Sequence, residues 1–183
     1  MQEISMELLS AALTGSKVQT TQRTLGQVRT IFGDREAAAH LPDDLEVYRV
    51  QTYAPVAEGI EGGLLWGNTV IQPGRVGDEY FMTKGHFHQV RNRGEYYVTV
   101  QGRGALILMD EARATWFETM SPGTVHYIPG HTAHRVANTG DAPLIFAACW
   151  PSDAGHDYGT IERDGFGARM VERNGSPVLI QQS

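Results

Sequence analysis

At 183 residues the chain has room for one domain with its own core, and two complete domains would be cramped. A net charge of −6 excludes general nucleic-acid binding, which needs basic surface, but leaves room for a small anionic substrate held by a few local donors. Cys149 is the only cysteine, so no internal disulfide can form. Glu3 and Glu7 stand where a signal peptide would be basic, and the longest apolar run, "PLIFAACW" (143–150), is too short to cross a membrane. A soluble, cytoplasmic protein without membrane or nucleic-acid partners is expected.

Ile4, Leu8 and Leu9 fall near one face of a helical wheel, which predicts a short amphipathic helix within residues 2–13. The polar stretch "TGSKVQTTQRTLGQ" (14–27) reads as irregular. A second short helix is predicted over "DREAAAHL" (34–41), ended by Pro42. From residue 45 onward the character changes to short β-rich runs: "EVYRVQTY", "LLWGNTVIQ", "GEYYVTVQG", "ALILMD", "TWFETM", "TVHYIP", "HRVAN" and "PLIFAACW". Turn clusters such as "PGRVGD", "QGRG", "SPG" and "NTGDAP" separate them at the spacing of a sandwich or barrel. Near the end, "ARMVERNGSPVLI" places two apolar runs around Asn-Gly, the signature of a tight hairpin. The division predicted is a partly helical extension over 1–44 and one all-β domain over 45–183.

The segment "TKGHFHQVRNRGEYY" (83–97) carries the candidate chemistry. Residues two apart in a strand face the same way, so His86 and His88 project side by side. "QVRNRG" reads as a loop that returns Glu95 on the next strand, and His134 in "YIPGHTAHRVANTG" opens a later one. Three neutral imidazoles and a carboxylate suit a divalent transition metal: iron, manganese, nickel or zinc. An octahedral ion would keep two positions open for substrate. An isolated H-x-H is as often a pair of ordinary histidines, so the second segment decides. There Gly123, Pro129, His134 and Asn138 follow the spacing G-x5-P-x4-H-x3-N.

That spacing resembles the second cupin motif, with His131 where the motif has glycine. His86, His88, Glu95 and Gly102 resemble the first, with a longer loop before the glutamate and no leading glycine. The resemblance implies an all-β cupin double-stranded β-helix, a jelly-roll barrel. A narrower resemblance, to the cupin-type glucose-6-phosphate isomerases, is carried by "NTVIQPGRVGDEYFMTKGHFH" (68–88), "RGEYYVTVQGRG" (93–104), "AHRVANTGDAP" (133–143) and "PSDAGHDYGTIERDGF" (151–166).

This second resemblance implies that His86, His88, Glu95 and His134 hold one divalent ion per subunit, Fe2+ foremost, with Mn2+, Ni2+ or Zn2+ as alternatives. It implies that Thr69, Thr83 and Gly85 bind the sugar phosphate, that Tyr97, His156 and Tyr158 line the same cavity, and that the chain is a homodimer. Threonine hydroxyls and a backbone N–H beside glycine are sound phosphate donors, and Lys84 or Arg93 can add charge. Glu95 is the natural proton-transfer base, with His156 and Tyr158 as catalytic partners. Its basicity would be lowered by a bound cation, so the enediol and hydride-shift routes both stay open. Trp150 departs from the family's tyrosine, and an iron dioxygenase or a non-catalytic sugar-binding cupin are the competing readings.

Overall fold

The computed structural model describes residues 4–182. Strands β1 (Ser5–Met6) and β2 (Leu13–Thr14) lead into β3 (Val18–Thr24), α1 (Leu25–Val28), a 3-10 turn over Arg29–Ile31 and α2 (Arg35–Ala39). Then come β4 (Glu46–Tyr53), β5 (Leu64–Ile71), β6 (Arg75–Val76), β7 (Glu79–Tyr80), β8 (Glu95–Gln101), β9 (Gly104–Asp110) and β10 (Thr115–Met120). They continue with β11 (Val125–Ile128), β12 (Thr132–Asn138) and β13 (Leu144–Pro151). A short helix, α3 (Tyr158–Asp164), precedes the closing hairpin of β14 (Ala168–Arg173) and β15 (Ser176–Gln181). None of the described helices is long and apolar enough to cross a membrane.

The strands pair in a six-stranded sheet, β11-β8-β13-β5-β4-β3, facing a three-stranded sheet, β10-β9-β12, and a four-stranded one, β15-β14-β7-β6. Every pairing is antiparallel, as an all-β barrel of hairpins and longer returns requires. Leu106, Leu108 and Val136 from the small sheet meet Ile71, Tyr97 and Phe146 of the large one in a single core cluster. The second-motif asparagine, Asn138, is fully buried and donates from its amide nitrogen to the carbonyls of Ile71 and Ala142, both at 2.9 Å. It thereby ties β12 to the opposite sheet. The Asn174–Gly175 pair joins β14 to β15 with both residues at positive φ (53° and 77°), as a type I′ hairpin demands.

Two expectations for the first residues are corrected. Residues 2 and 3 lie outside the described residues, and from Ile4 to Leu13 there is no helix but the β1–β2 hairpin. The spacing of Ile4, Leu8 and Leu9 misled because Leu8 and Leu9 are exposed, at 79% and 80%. The residues that anchor the segment are Ala11 and Leu13. Ala11 packs on Val70 and Ile145 of the large sheet's outer face, and Asn68 donates to its carbonyl at 2.6 Å. Gln51 clasps the Leu13 backbone, accepting from its N–H at 2.9 Å and donating to its carbonyl at 3.2 Å.

The stretch 14–27 is not irregular either: Val18–Thr24 pairs along β4 as the edge strand. Its β-branched threonines favour extended backbone. The usual apolar alternation is missing because its inward face lines a polar cavity. The helix near 34–41 is present as α2, with Asp34 capping it by accepting from the Ala37 N–H at 2.9 Å.

Candidate active site

The histidine pair lies on an extended segment that bridges β12. The His86 N–H donates to the His134 carbonyl at 3.2 Å, and the His134 N–H returns to the His86 carbonyl at 3.0 Å. Glu95 opens β8, where inward Glu95 and Tyr97 flank outward Tyr96. One ligand atom from each of His86, His88, Glu95 and His134 falls within 4.8 Å of all the others. His134 Nε2 comes 2.5 Å from Glu95 Oε1, and His88 Nε2 3.7 Å. All four atoms are shut away from solvent, and none has hydrogen-bond geometry to any partner. Buried polar atoms are normally satisfied, so four converging unpaired lone pairs fit a cation between them.

The rest of each side chain fixes that arrangement. His88 Nδ1 donates to the Arg93 carbonyl at 2.7 Å, which leaves its Nε2 lone pair facing the cluster. Burial pushes His86 well below the usual imidazole range, and the neighbouring His134, His156 and His88 push it further. His88 is lowered too, again chiefly by burial. Both rings are therefore neutral, the form that binds metal. Burial alone would raise Glu95, but His134, His88 and the Tyr97 hydroxyl outweigh it and hold the carboxyl below its usual value. Burial and the adjacent Glu95 charge drive Tyr97 well above the normal phenol range, so its hydroxyl stays protonated as a donor.

A cavity of about 550 Å³ opens over the cluster, lined among others by His86, Glu95, His134, Thr69, Thr83 and Gly85. His88 stands behind the other ligands. Tyr97, His156 and Tyr158 complete the wall, the last two rings stacked at 5.6 Å with planes 5° apart. The His156 ring also lies 4.5 Å from that of His86. Burial raises the Tyr158 hydroxyl to about 12. Thr83 Oγ1 accepts from the Val136 N–H at 3.0 Å, leaving its own proton free to donate into the cavity. Gly85 has φ +78°, and a Cβ there would meet Arg135 Cβ and Phe166 at 2.9 Å, so only glycine lets the backbone line the wall.

The family model described as "Glucose-6-phosphate isomerase (GPI)" matches residues 22–182. The chain belongs to the glucose-6-phosphate isomerase family. Among curated relatives, a glucose-6-phosphate isomerase of Pyrococcus horikoshii is 42% identical over 97% of this chain and 93% of its own length. One of Pyrococcus abyssi is 45% identical over 86% of this chain and 84% of its own. A putative glucose-6-phosphate isomerase 2 of Rhizobium meliloti is 36% identical over 86% and 77%. Among solved structures, an oxalate decarboxylase–formate complex of Lactobacillus farciminis matches at 24% identity and TM-score 0.47, over 64% of this chain and 32% of that one.

Within this isomerase-family chain, every residue singled out from the sequence for metal or substrate except His88 and Arg93 lines this cavity, and His88 joins the ligand cluster behind it. Lys84 lines the cavity too, its ammonium 4.8 Å from the Tyr158 ring and ion-paired to Glu162 of α3. Arg93 does not reach the cavity. It is turned to Asp153, its Nη2 at 2.7 Å from the carboxylate. Trp150 is on the wall, whereas His131 is an exposed loop residue at φ 62°, 3.3 Å from Glu111 and outside the ligand cluster. Sequence reasoning missed the outer wall: Gln19, Thr21 and Arg23 of β3, and Tyr48 of β4. The period-two spacing of Gln19, Thr21 and Arg23 was the available signal.

Proposed function

We propose that the protein is a metal-dependent aldose–ketose isomerase that interconverts D-glucose 6-phosphate and D-fructose 6-phosphate in cytoplasmic sugar metabolism. The observation that carries this is the buried cluster of unpaired His86, His88, Glu95 and His134 atoms at the floor of the Thr83–Gly85 cavity, in a chain of this family. These four residues would hold the ion, with Fe2+ foremost and Mn2+, Ni2+ or Zn2+ compatible with the same donors. A divalent cation held there would polarise a carbonyl or hydroxyl oxygen, which would lower the barrier to moving hydrogen between adjacent carbons.

The chain's own residues supply the rest. The Thr69 and Thr83 hydroxyls and the Gly85 backbone are set to receive the phosphate. Its binding energy then fixes carbons 1 and 2 against Glu95. Glu95 takes the proton from carbon 2 and returns it to carbon 1. The hydroxyl proton passes from oxygen 2 to oxygen 1 through His156 or Tyr158, which face the same space. Tyr97, protonated and buried, holds Glu95 in place.

The test is a coupled assay of fructose 6-phosphate conversion after EDTA stripping and reloading with ferrous iron, manganese, nickel or zinc. Turnover should vanish on stripping and return with metal. Full activity in the stripped protein would overturn the metal's role, and inactivity with every ion would overturn the reaction.

A further inference from the structure

A second cavity, of about 700 Å³, lies on the other side of Lys84 from the catalytic one. Five cations line it, Arg35, Lys84, Arg135, Arg163 and Arg169, against two carboxylates, Glu162 and Asp164. Lys84 pairs with Glu162, Arg163 with Asp164 and Arg169 with Asp78 and Glu79, which leaves Arg35 and Arg135 as cations of the wall outside any ion pair among the described residues, on a chain whose net charge is −6. Its floor is apolar, built from Phe32, Ile161 and Phe166. A concave positive wall on an acidic protein concentrates small anions against the bulk field.

Arg135 is the decisive group. It is only 4% exposed, and its guanidinium lies 4.1 Å over the Phe166 ring. One nitrogen donates to the Lys84 carbonyl at 2.9 Å and another to Met82 Sδ at 3.3 Å, while Nε has no partner. Among the described residues no carboxylate pairs with it. Glu79, whose charge it feels, is ion-paired to Arg169 at 3.1 Å instead. A buried cation left without an anion is a costly arrangement that a bound oxyanion would relieve. At the rim Arg35 is likewise in no ion pair among the described residues, and its guanidinium donates to the Arg29 carbonyl at 3.4 Å.

We infer that this cavity is a second ligand site, distinct from the catalytic one, that takes a phosphate monoester carrying an apolar or aromatic body. The fork of Arg35 and the unpartnered Nε of Arg135 match a phosphate's oxygens, Arg163 exchanges its exposed Asp164 partner, held at 3.0 Å, for the same anion, and the body rests on Phe32, Ile161 and Phe166. The volume exceeds that of the catalytic cavity, so a ligand at least as large as a sugar phosphate is accommodated.

The probe is adenosine 5′-monophosphate, with neutral adenosine as its control, titrated calorimetrically into metal-loaded protein. The titration is run with and without saturating, equilibrated fructose 6-phosphate, which fills the catalytic cavity. One equivalent of the nucleotide should bind in both conditions and adenosine should not. An R35A/R163A variant, changed only at exposed positions and checked for fold by circular dichroism, should bind the nucleotide about tenfold or more weakly. No binding up to about 10 mM would overturn the site. Unaltered affinity in the variant, or binding abolished by the sugar phosphate, would also overturn it, the latter by placing the probe in the catalytic cavity.

Discussion

The cluster histidines His86 and His88 owe their chemistry to burial. His86 and His88 are both held below the ordinary imidazole range, first by desolvation and then by neighbouring rings. In the unfolded chain the same rings take up protons near pH 6.5. Below that pH the unfolded state binds more protons than the folded one, so the metal-stripped protein must lose stability as pH falls. The slope approaches about 1.4 kcal/mol per pH unit for each histidine involved. Thermal unfolding of EDTA-treated protein should therefore show a falling Tm from pH 7.5 to 5.5, less steep in His86→Ala. A flat profile would mean that these rings are not desolvated as the cluster shows. At this scale the site was readable where spacing carried it: His86 and His88 by alternation, His134 by the distances from Gly123, Pro129 and Asn138. Arg23 and Tyr48 were not, because a polar residue facing a cavity has the same local pattern as one facing water.

The turn from His156 into α3 brings two stacked rings, His156 and Tyr158, to the cavity wall. Asp157 caps that helix, accepting from the Thr160 N–H at 3.1 Å and from its hydroxyl at 2.8 Å. Arg91 bonds it at 2.5 Å and reaches the His88 carbonyl at 2.6 Å with its other nitrogen. One arginine thus ties the segment bearing His86 and His88 to the segment bearing His156 and Tyr158. Asp157→Ala removes the cap and the tie together. It should cost about 1–2 kcal/mol in denaturant unfolding. It should also raise KM for the sugar phosphate several-fold as the stacked rings lose their anchor, with metal content unchanged. An unaltered KM would separate α3 from substrate binding. This element was half visible in advance: "GHDYG" is a poor core strand, but nothing local says that its aspartate meets Arg91, 66 residues earlier. The strand β3 was misread for the complementary reason. Its partner β4 and its cavity-facing side are both nonlocal, and without them "VQTTQRT" has no apolar rhythm to betray a strand.

At the scale of the whole molecule, the large sheet is not fully covered. It ends in β11 on one side and β3 on the other, each with one side unpaired among the described residues, and edge strands invite pairing unless something hides them. On its outer side Tyr96, Val125 and Tyr127 are more than half exposed, and Leu8 and Leu9 protrude from the hairpin lodged on the same sheet. Five large apolar side chains in solvent are more than a monomer of this size usually leaves unshielded. Ala11 and Leu13 show that this sheet already takes apolar side chains from the N-terminal segment of its own chain. A second copy offering Leu8 and Leu9 would extend that packing, and a stable pair needs to bury above about 1,000 Å² in total. Sedimentation velocity should accordingly give a dimer. Replacing Leu8 and Leu9 by aspartate together with Tyr127→Ser should shift it to monomer without changing the circular dichroism of the barrel. A wild-type monomer, or a dimer indifferent to all three changes, would place the contact elsewhere or nowhere.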